Sequence, residues 1–457
     1  MEGLEISVVK LSEVKGEFRI EAEHYQHKYQ KLLERLNKDF SYLKDLVSKP
    51  IQTGHTPSMK DSRFYGGNIK FVKTDNLREN EIKEPFSNYL SNLGNSEIKR
   101  TELQEEDIIT TIIGATYDVI ARSCIVQKSL LPANINQNIA HIRPDKKKIN
   151  PEYLNVYLNS KYGKMYLEYL SRQMEQVNLN CEEVGMVKVP IFSDTFQSKI
   201  ESLVKSAHAK LEESKSLYSQ AEDLLLGELG LKDWRPKNTL HTTKKFSDFA
   251  QSGRLDAEYY QPKYDEIEKA IKSYKGGYDI VSNLFNQNLD VCDYKKTEYN
   301  YIEIGDVNVG DGSVSFNKVE TSELPDNAKR VLNKNDILIS KVRPYRGAVA
   351  IIDFEQEDLI GSGAFTVLQE KSSYKKETLQ ILFRTAVYKD WLLKWNVGSS
   401  YPVIKDEDIL NLPIPILPEQ IQKKIASLIQ QSFECKAQSK QLLEDAKRMV
   451  EAEIEKN

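Results

Sequence analysis

The sequence predicts an α+β chain: two mixed α/β domains in a pseudo-twofold internal repeat, separated by two long antiparallel helices that form a coiled coil. Three observations carry that expectation. Residues 19–29, RIEAEHYQHKY, return at 254–264 as RLDAEYYQPKY, with seven of eleven positions identical at an offset of 235. A second, ungapped correspondence runs at an offset of 225 and pairs Leu179 with Ile404, Glu182 with Glu407, Pro190 with Pro415, Ile200 with Ile425, Ser214 with Ser439 and Ala221 with Ala446. Each copy then ends in a proline-free run with apolar or small residues at alternating spacings of four and three. Between the anchors the likeness is faint, as in LQEEDII at 103–109 against LNKNDIL at 332–338 and FVKTD at 71–75 against YIEIGD at 301–306. Two units thus share their ends and differ in their middles.

A length of 457 residues implies two or three domains. A hydrophobic content of 40% and a charged content of 29% fit a water-soluble protein with much helical surface. No run approaches the ~18 to 20 apolar residues of a membrane span. The opening MEGLEISVVK lacks a basic segment leading into an apolar core, so a cytoplasmic location is expected. The four cysteines, Cys124, Cys181, Cys292 and Cys435, lie far apart without a Cys-x-x-Cys pair, which argues for free thiols and against zinc or a disulfide framework. A net charge of −4 does not advertise a nucleic-acid binder, so such a role would need local basic segments.

The elements follow in order. Residues 1–40 form the first repeat-opening segment. Residues 41–195 form the first domain, with strands expected at 69–74, 107–113, 119–126 and 140–144 between turn signals such as Gly66-Gly67 and Gly114, and a helix at 151–172 opened by Pro151. Residues 196–230 form the central helix. Its seam is Ile200, Val204, Ala207, Leu211, Ser214, Tyr218, Ala221 and Leu225, on a rod of roughly 50 Å. Residues 231–275 are a linker and the second opening segment. Residues 276–418 form the second domain, with strands near 299–305, 336–342, 348–353 and 365–369 and a helix at 376–396 closed by Gly398. Residues 419–457 form the C-terminal helix, with a seam of Ile425, Ile429, Ser432, Lys436, Ser439, Leu443, Ala446 and Val450; a register through Ile421, Leu428, Cys435 and Leu442 also fits. Small residues recur at matching places in both seams and would let the helices approach closely. The alternative is that each helix packs on its own domain.

These residues resemble the specificity subunit of type I restriction–modification systems. The loop TGHTPS at 53–58 followed by FYGGNIKFVKTDNL at 64–77 is similar to the opening of that family's target-recognition domains. GSSYPVIKDEDILNLPIPILPEQIQKKIASLI at 398–429 is similar to their closing, and RLDAEYYQPKY to the segment that opens a repeat unit. The first unit departs from the pattern: GMVKVPIF at 185–192 lacks the Pro-x-Pro spacing and QVNLN replaces the Gly-Ser-Ser turn. The resemblance implies two target-recognition domains held apart by antiparallel helices. Each would read one half of a bipartite site in double-stranded DNA. The helices would set the gap and dock two methyltransferase subunits, which restriction and translocase subunits join. The chain itself would bind no cofactor; S-adenosylmethionine, and ATP with Mg for restriction, would belong to the partners.

The residues fit a non-catalytic role. No Asn/Asp-Pro-Pro-aromatic motif, glycine-rich cofactor loop or Gly-x4-Gly-Lys-Ser/Thr phosphate loop occurs. His24 and His27 could share a helix face, but Tyr259 and Pro262 replace them in the second copy, so packing is expected rather than metal. Three stretches are locally basic: +3 over 60–78, +4 over 110–148 and +5 over 329–346. Base reading needs paired donors and acceptors on exposed loops. The DNA-binding candidates in the first domain are Gln52, Thr53, His55, Lys60, Arg63 and Lys73, the amide-rich Asn134, Asn136, Gln137 and Asn138, and Arg172, Gln173 and Gln176 near the closing turn. In the second they are Lys341, Arg343, Tyr345 and Arg346, with Ser399, Ser400 and Tyr401. A stand-alone enzyme, and a duplicated scaffold that binds only proteins, remain the competing readings.

Overall fold

The computed structural model describes residues 8, 22–114, 116, 119–173, 177–237, 239, 241–398 and 401–456. The chain is α+β and divides into two compact units, residues 1–210 with 437–457 and residues 211–436. Among the described residues no helix is long and apolar enough to cross a membrane.

In the first unit an antiparallel sheet runs in the order Gln52–Thr53, Ile139–Ile142, Ile108–Thr111, Ser123–Ile125. A second sheet places Ala133–Ile135 parallel to Tyr65–Val72, which pairs antiparallel with Tyr89–Leu90. The ribbon Phe40–Tyr42 with Lys188–Pro190 closes the unit. In the second unit the antiparallel sheet runs Phe285–Gln287, Phe365–Glu370, Ile337–Ser340, Val349–Ile351. Its companion is Asn317–Glu320, Glu298–Ile302, Leu359–Ser362, Ala328–Val331, with the middle two strands parallel. The closing ribbon is Tyr278–Ile280 with Pro413–Pro415.

Several strands are shorter than the sequence pattern suggests. The apolar run 119–126 yields a strand only at Ser123–Ile125, because Ala121 turns at φ +63° and ends the extended chain. Both expected single helices are broken. The segment 151–172 splits into Pro151–Asn159 and Lys161–Leu170, and 376–396 into Lys376–Arg384, Ala386–Trp391 and a short 3-10 turn. The cause is one device used twice. Ser160 turns extended, gives its hydroxyl to the Tyr157 carbonyl at 2.6 Å and accepts from Gly163 N–H at 3.2 Å. Thr385 does the same between Leu382 and Tyr388, at 2.7 and 3.3 Å. Each hydroxyl thereby ends one helix and caps the next.

Other contacts repeat at the offset of 225. Gln197 accepts from Asn150 N–H and donates to the Phe192 carbonyl, while Gln422 accepts from Lys375 N–H and donates to the Leu417 carbonyl, all at 2.9 Å. The short helices Cys181–Gly185 and Asp406–Leu410 open alike, with Glu183 accepting from Asn180 N–H and Asp408 from Lys405 N–H at 2.8 Å. The closing ribbon of each unit receives two buried tyrosine hydroxyls. Tyr153 bonds the Pro190 carbonyl at 2.7 Å and Tyr157 that of Lys188; Tyr374 bonds Pro415 at 3.2 Å and Tyr388 bonds Pro413 at 2.7 Å. The acceptors correspond in sequence and the donors do not.

The long helices run Asp194–Leu229 and Glu419–Lys456, 36 and 38 residues, or about 54 and 57 Å. In the first unit Ile200 and Val204 share a core with Ala446, Val450 and Ile454. In the second, Ala221 and Leu225 share one with Ile425 and Ile429, and Ser432 donates to the Ser214 carbonyl at 2.8 Å. Ala207, Ser214, Ser432 and Ser439 are buried, whereas Leu211, Tyr218 and Leu443 are half-buried. Of the two C-terminal registers, the first is buried throughout except at Leu443, whereas the second is buried only at Cys435, with Ile421, Leu428 and Leu442 half-buried. Cys124, Cys292 and Cys435 are buried and Cys181 is partly so. Burial pushes the Cys124 thiol up to about 12, which keeps it protonated and unreactive.

Candidate nucleic-acid interface

In the first unit the loop after Gln52–Thr53 meets the loop after Ala133–Ile135. Thr56 donates to the Gln137 side chain at 2.5 Å, and Gly54 lies so close that a Cβ there would sit 2.0 Å from the Ile135 carbonyl oxygen. Only glycine permits that approach. His55 and Gln137 are exposed beside this junction, and Asn138 is half-exposed. Gln52 and Thr53 are half-buried, their backbones paired with His141 and Ala140.

The amide-rich run splits. Asn134 is wholly interior: it accepts from Thr101 at 2.9 Å and donates to Asn95 at 2.8 Å and the Ile98 carbonyl at 3.1 Å. Asn136 is buried and accepts from Asn138 N–H at 3.3 Å. Lys60 is exposed. Arg63 is exposed and clasps Asp61 at 2.7 Å, which holds that carboxyl below the usual carboxylate range. So open a pair contributes little and can yield to a phosphate. Lys73 is half-buried, its ammonium bonded to Asn88. Arg172 is exposed and pairs with Glu183 at 2.9 Å. Gln173 pairs with Val177 through its backbone. Its side chain lies outside what the structure describes, as do Gln176, Ser399 and Ser400.

Beneath this surface Asp107 receives Arg143 through Nε and Nη2 and His141 through Nε2, each at 2.7 Å. Burial pushes the Asp107 carboxyl up, but these donors outweigh it and hold the group below its ordinary value. At the corresponding place Asp336 receives only neutral donors, Gln369 at 2.9 Å, Asn333 N–H at 3.0 Å and Asn288 at 3.1 Å, and burial holds its carboxyl above the ordinary value.

The second unit gathers its candidates at one turn. Arg343 stands in the left-handed region at φ +48°, Pro344 is buried, and Gly347 closes the turn at φ +73°. Arg343 N–H donates to the Pro402 carbonyl at 2.8 Å and its guanidinium lies 5.0 Å over the Tyr401 ring. Tyr345 and Tyr401 are 38% and 57% exposed, and Arg346 is exposed. Arg346 and two aromatic faces are therefore exposed together, with half-buried Arg343 stacked on one of them. Lys341 differs: it is engaged with Asp406 at 3.0 Å, and Thr366 fixes the same carboxylate at 2.6 Å.

Two further features of this site leave no signal in the sequence pattern. Val397 and Val403, bridged to one another, lie exposed beside Tyr401. Arg384 is buried under the turn and donates to the Gly347 carbonyl at 3.0 Å. Exposed valines on a polar loop carry no periodic signal. An arginine at the end of an apolar helix reads as an ordinary favourable C-terminal charge.

A family model described as "Type I restriction modification DNA specificity domain" matches residues 279–448. The chain is 26% identical over 141 residues to the type I restriction enzyme EcoBI specificity subunit of Escherichia coli, a match covering 31% of this chain and 29% of that protein. It is 23% identical over 407 residues to the MjaIX specificity subunit of Methanocaldococcus jannaschii, covering 87% of each. Among solved structures it is similar to the S subunit of a type I restriction–modification system from M. genitalium, with a TM-score of 0.42, 11% identity and coverage of 91% of this chain and 94% of that one. Similarity to the HsdS subunit from Thermoanaerobacter tengcongensis has a TM-score of 0.29, with 14% identity and coverage of 91% and 95%.

Proposed function

We propose that this chain, whose residues 279–448 carry a type I restriction modification DNA specificity domain and which resembles type I specificity subunits, is the sequence-reading subunit of such a complex. The observation that carries the reading is the surface cluster of exposed Tyr345, Arg346 and Tyr401 with half-exposed Arg343 inside the matched domain. Guanidinium groups can take phosphates, or pair with guanine O6 and N7 in the major groove, and the neighbouring Val397 and Val403 suit a thymine methyl. In the other unit His55, Gln137 and Asn138 offer donors and acceptors of a different kind, in keeping with a different half-site.

Two reading domains, 41–195 and 276–418, would each take one half of a bipartite site in double-stranded DNA. The two long helices, paired antiparallel through Ile200, Val204, Ala207, Leu211, Tyr218, Ala221, Ile425, Ile429, Leu443 and Ala446, would fix the unspecified gap and dock two methyltransferase subunits. Support for a duplicated design comes from the contacts that recur at an offset of 225. The chain has no catalytic role in this scheme. S-adenosylmethionine belongs to the methyltransferase partners, and ATP with Mg to the restriction subunits.

The test is to assemble the chain with its methyltransferase subunits, expose mixed DNA to the complex and sequence the methylated adenines. A bipartite motif with a constant gap is expected, and methyl transfer by the purified chain alone would refute the non-catalytic role.

A further inference from the structure

We propose that Arg384 is a positioning residue for DNA reading, whose buried guanidinium fixes the Arg343–Gly347 turn against the long helix that carries Tyr218. The proposal rests on the sequence-reading role given above. Arg384 ends the helix Lys376–Arg384 and is 8% exposed. Its Nε donates to the Tyr218 hydroxyl at 2.5 Å, Nη1 to the Gly347 carbonyl at 3.0 Å and Nη2 to the Val309 carbonyl at 3.0 Å. No carboxylate among the described residues pairs with it. Burying a cation on neutral acceptors alone is costly, and an apolar side chain would fill the space without that cost. What the guanidinium gains is geometry, because its donors lie in one rigid plane and reach three separate segments at once.

Those segments are the long helix, the turn and the loop 308–313. The loop is itself locked in place. Gln380 donates to the Gly312 carbonyl at 3.1 Å, and the Lys436 ammonium bonds the Asp311 carboxylate and the Ser313 hydroxyl. Gly312 stands at φ +75°, where a Cβ would lie 2.9 Å from the Val349 carbonyl oxygen. Lys436 of the C-terminal long helix and Gln380 thus hold this loop, and Arg384 links it through Val309 to Tyr218 and on to Gly347. Arg343 and Gly347, the left-handed residues that bound the turn, are where its shape is least fixed by local preference. A carbonyl pinned from below sets the height and tilt at which Arg343 and Arg346 meet DNA.

The test uses the complex assembled with methyltransferase subunits and carrying wild-type chain, R384K, R384M or Y218F. Methylation rates are compared on duplexes with the cognate site and with single base changes in either half-site, alongside thermal melts. The half-site read by the second unit is the one that changes when residues 276–418 are exchanged for another subunit's reading domain. R384K keeps the charge but reaches fewer acceptors, and is expected to lose about tenfold or more of the discrimination at that half-site, with none lost at the other. Y218F, which leaves the bond to Gly347, should lose less. If R384M does not assemble, R384K decides. Unchanged discrimination in R384K overturns the proposal, as does an equal loss at both half-sites, which marks general destabilisation. A wild-type complex with no half-site preference overturns the sequence-reading role itself and the proposal with it.

Discussion

At the scale of single residues, Asp107 and Asp336 occupy matching places with opposite electrostatics. Asp107 has cationic Arg143 and the His141 ring as partners, and its carboxyl is held down. Its stabilising contribution is present above the ordinary value of 3.8 and is lost as pH falls through the lower folded value. Asp336 is held up, so it opposes folding once pH exceeds its raised value, and that penalty is relieved on acidification. Asp107→Asn should therefore cost about 3–5 kcal/mol at neutral pH, because it strands a partly buried guanidinium, and should flatten the acid limb in urea unfolding below about pH 5. Asp336→Asn should cost less, about 1–3 kcal/mol. His141→Gln should cost under about 1 kcal/mol, since Gln369 serves that role in the second unit. Arg343→Ala with Arg346→Ala should weaken duplex binding by the complex and lower its salt slope by about 1 to 2, as two phosphate contacts predict. An unchanged slope would assign these arginines elsewhere. The turn at 341–346 was legible because Arg-Pro-Tyr-Arg follows a strand. Asn134 was misleading because its partners, Asn95 and Thr101, are remote in sequence. Lys341 was misleading for the same reason, its aspartate lying 65 residues away.

At the scale of elements, the long helices were the most legible part of the fold, since eight seam positions over about four heptads in a proline-free run favour a long helix. Their bounds, Asp194–Leu229 and Glu419–Lys456, lie within a few residues of the pattern. The breaks at Ser160 and Thr385 were not legible. Each sits in an apolar rhythm that continues across it, and only the cap formed by the hydroxyl interrupts the helix. The Ser214–Ser432 contact at 2.9 Å tests how close the second unit's helices approach. Ser432→Leu should destabilise by about 1–3 kcal/mol through overpacking, whereas Ser432→Ala should cost about 1 kcal/mol for the lost hydrogen bond. Thermal melts of the two variants separate these outcomes; an innocuous leucine would mean a loose seam.

At the scale of the whole molecule, the expectation of two reading domains and a ruler leads to two measurements on the assembled complex. Deleting residues 208–214 and 433–439 together removes one heptad from each rod, about 10.5 Å. The gap between methylated half-sites should shorten by about three base pairs, and an unchanged gap would count against the ruler. Exchanging 41–195 for another subunit's reading domain should alter one half-site and leave the other. The closing ribbons bear on how such an exchange can succeed. The carbonyls of Lys188 and Pro190 and the Tyr157 and Tyr153 hydroxyls that bond them all lie within 41–195, as those of Pro413 and Pro415 and of Tyr388 and Tyr374 lie within 276–418. A domain exchanged whole therefore brings both halves of its own clasp, donor and acceptor together. Recombination at these boundaries could then move a DNA preference between lineages without asking this clasp to fit a foreign partner.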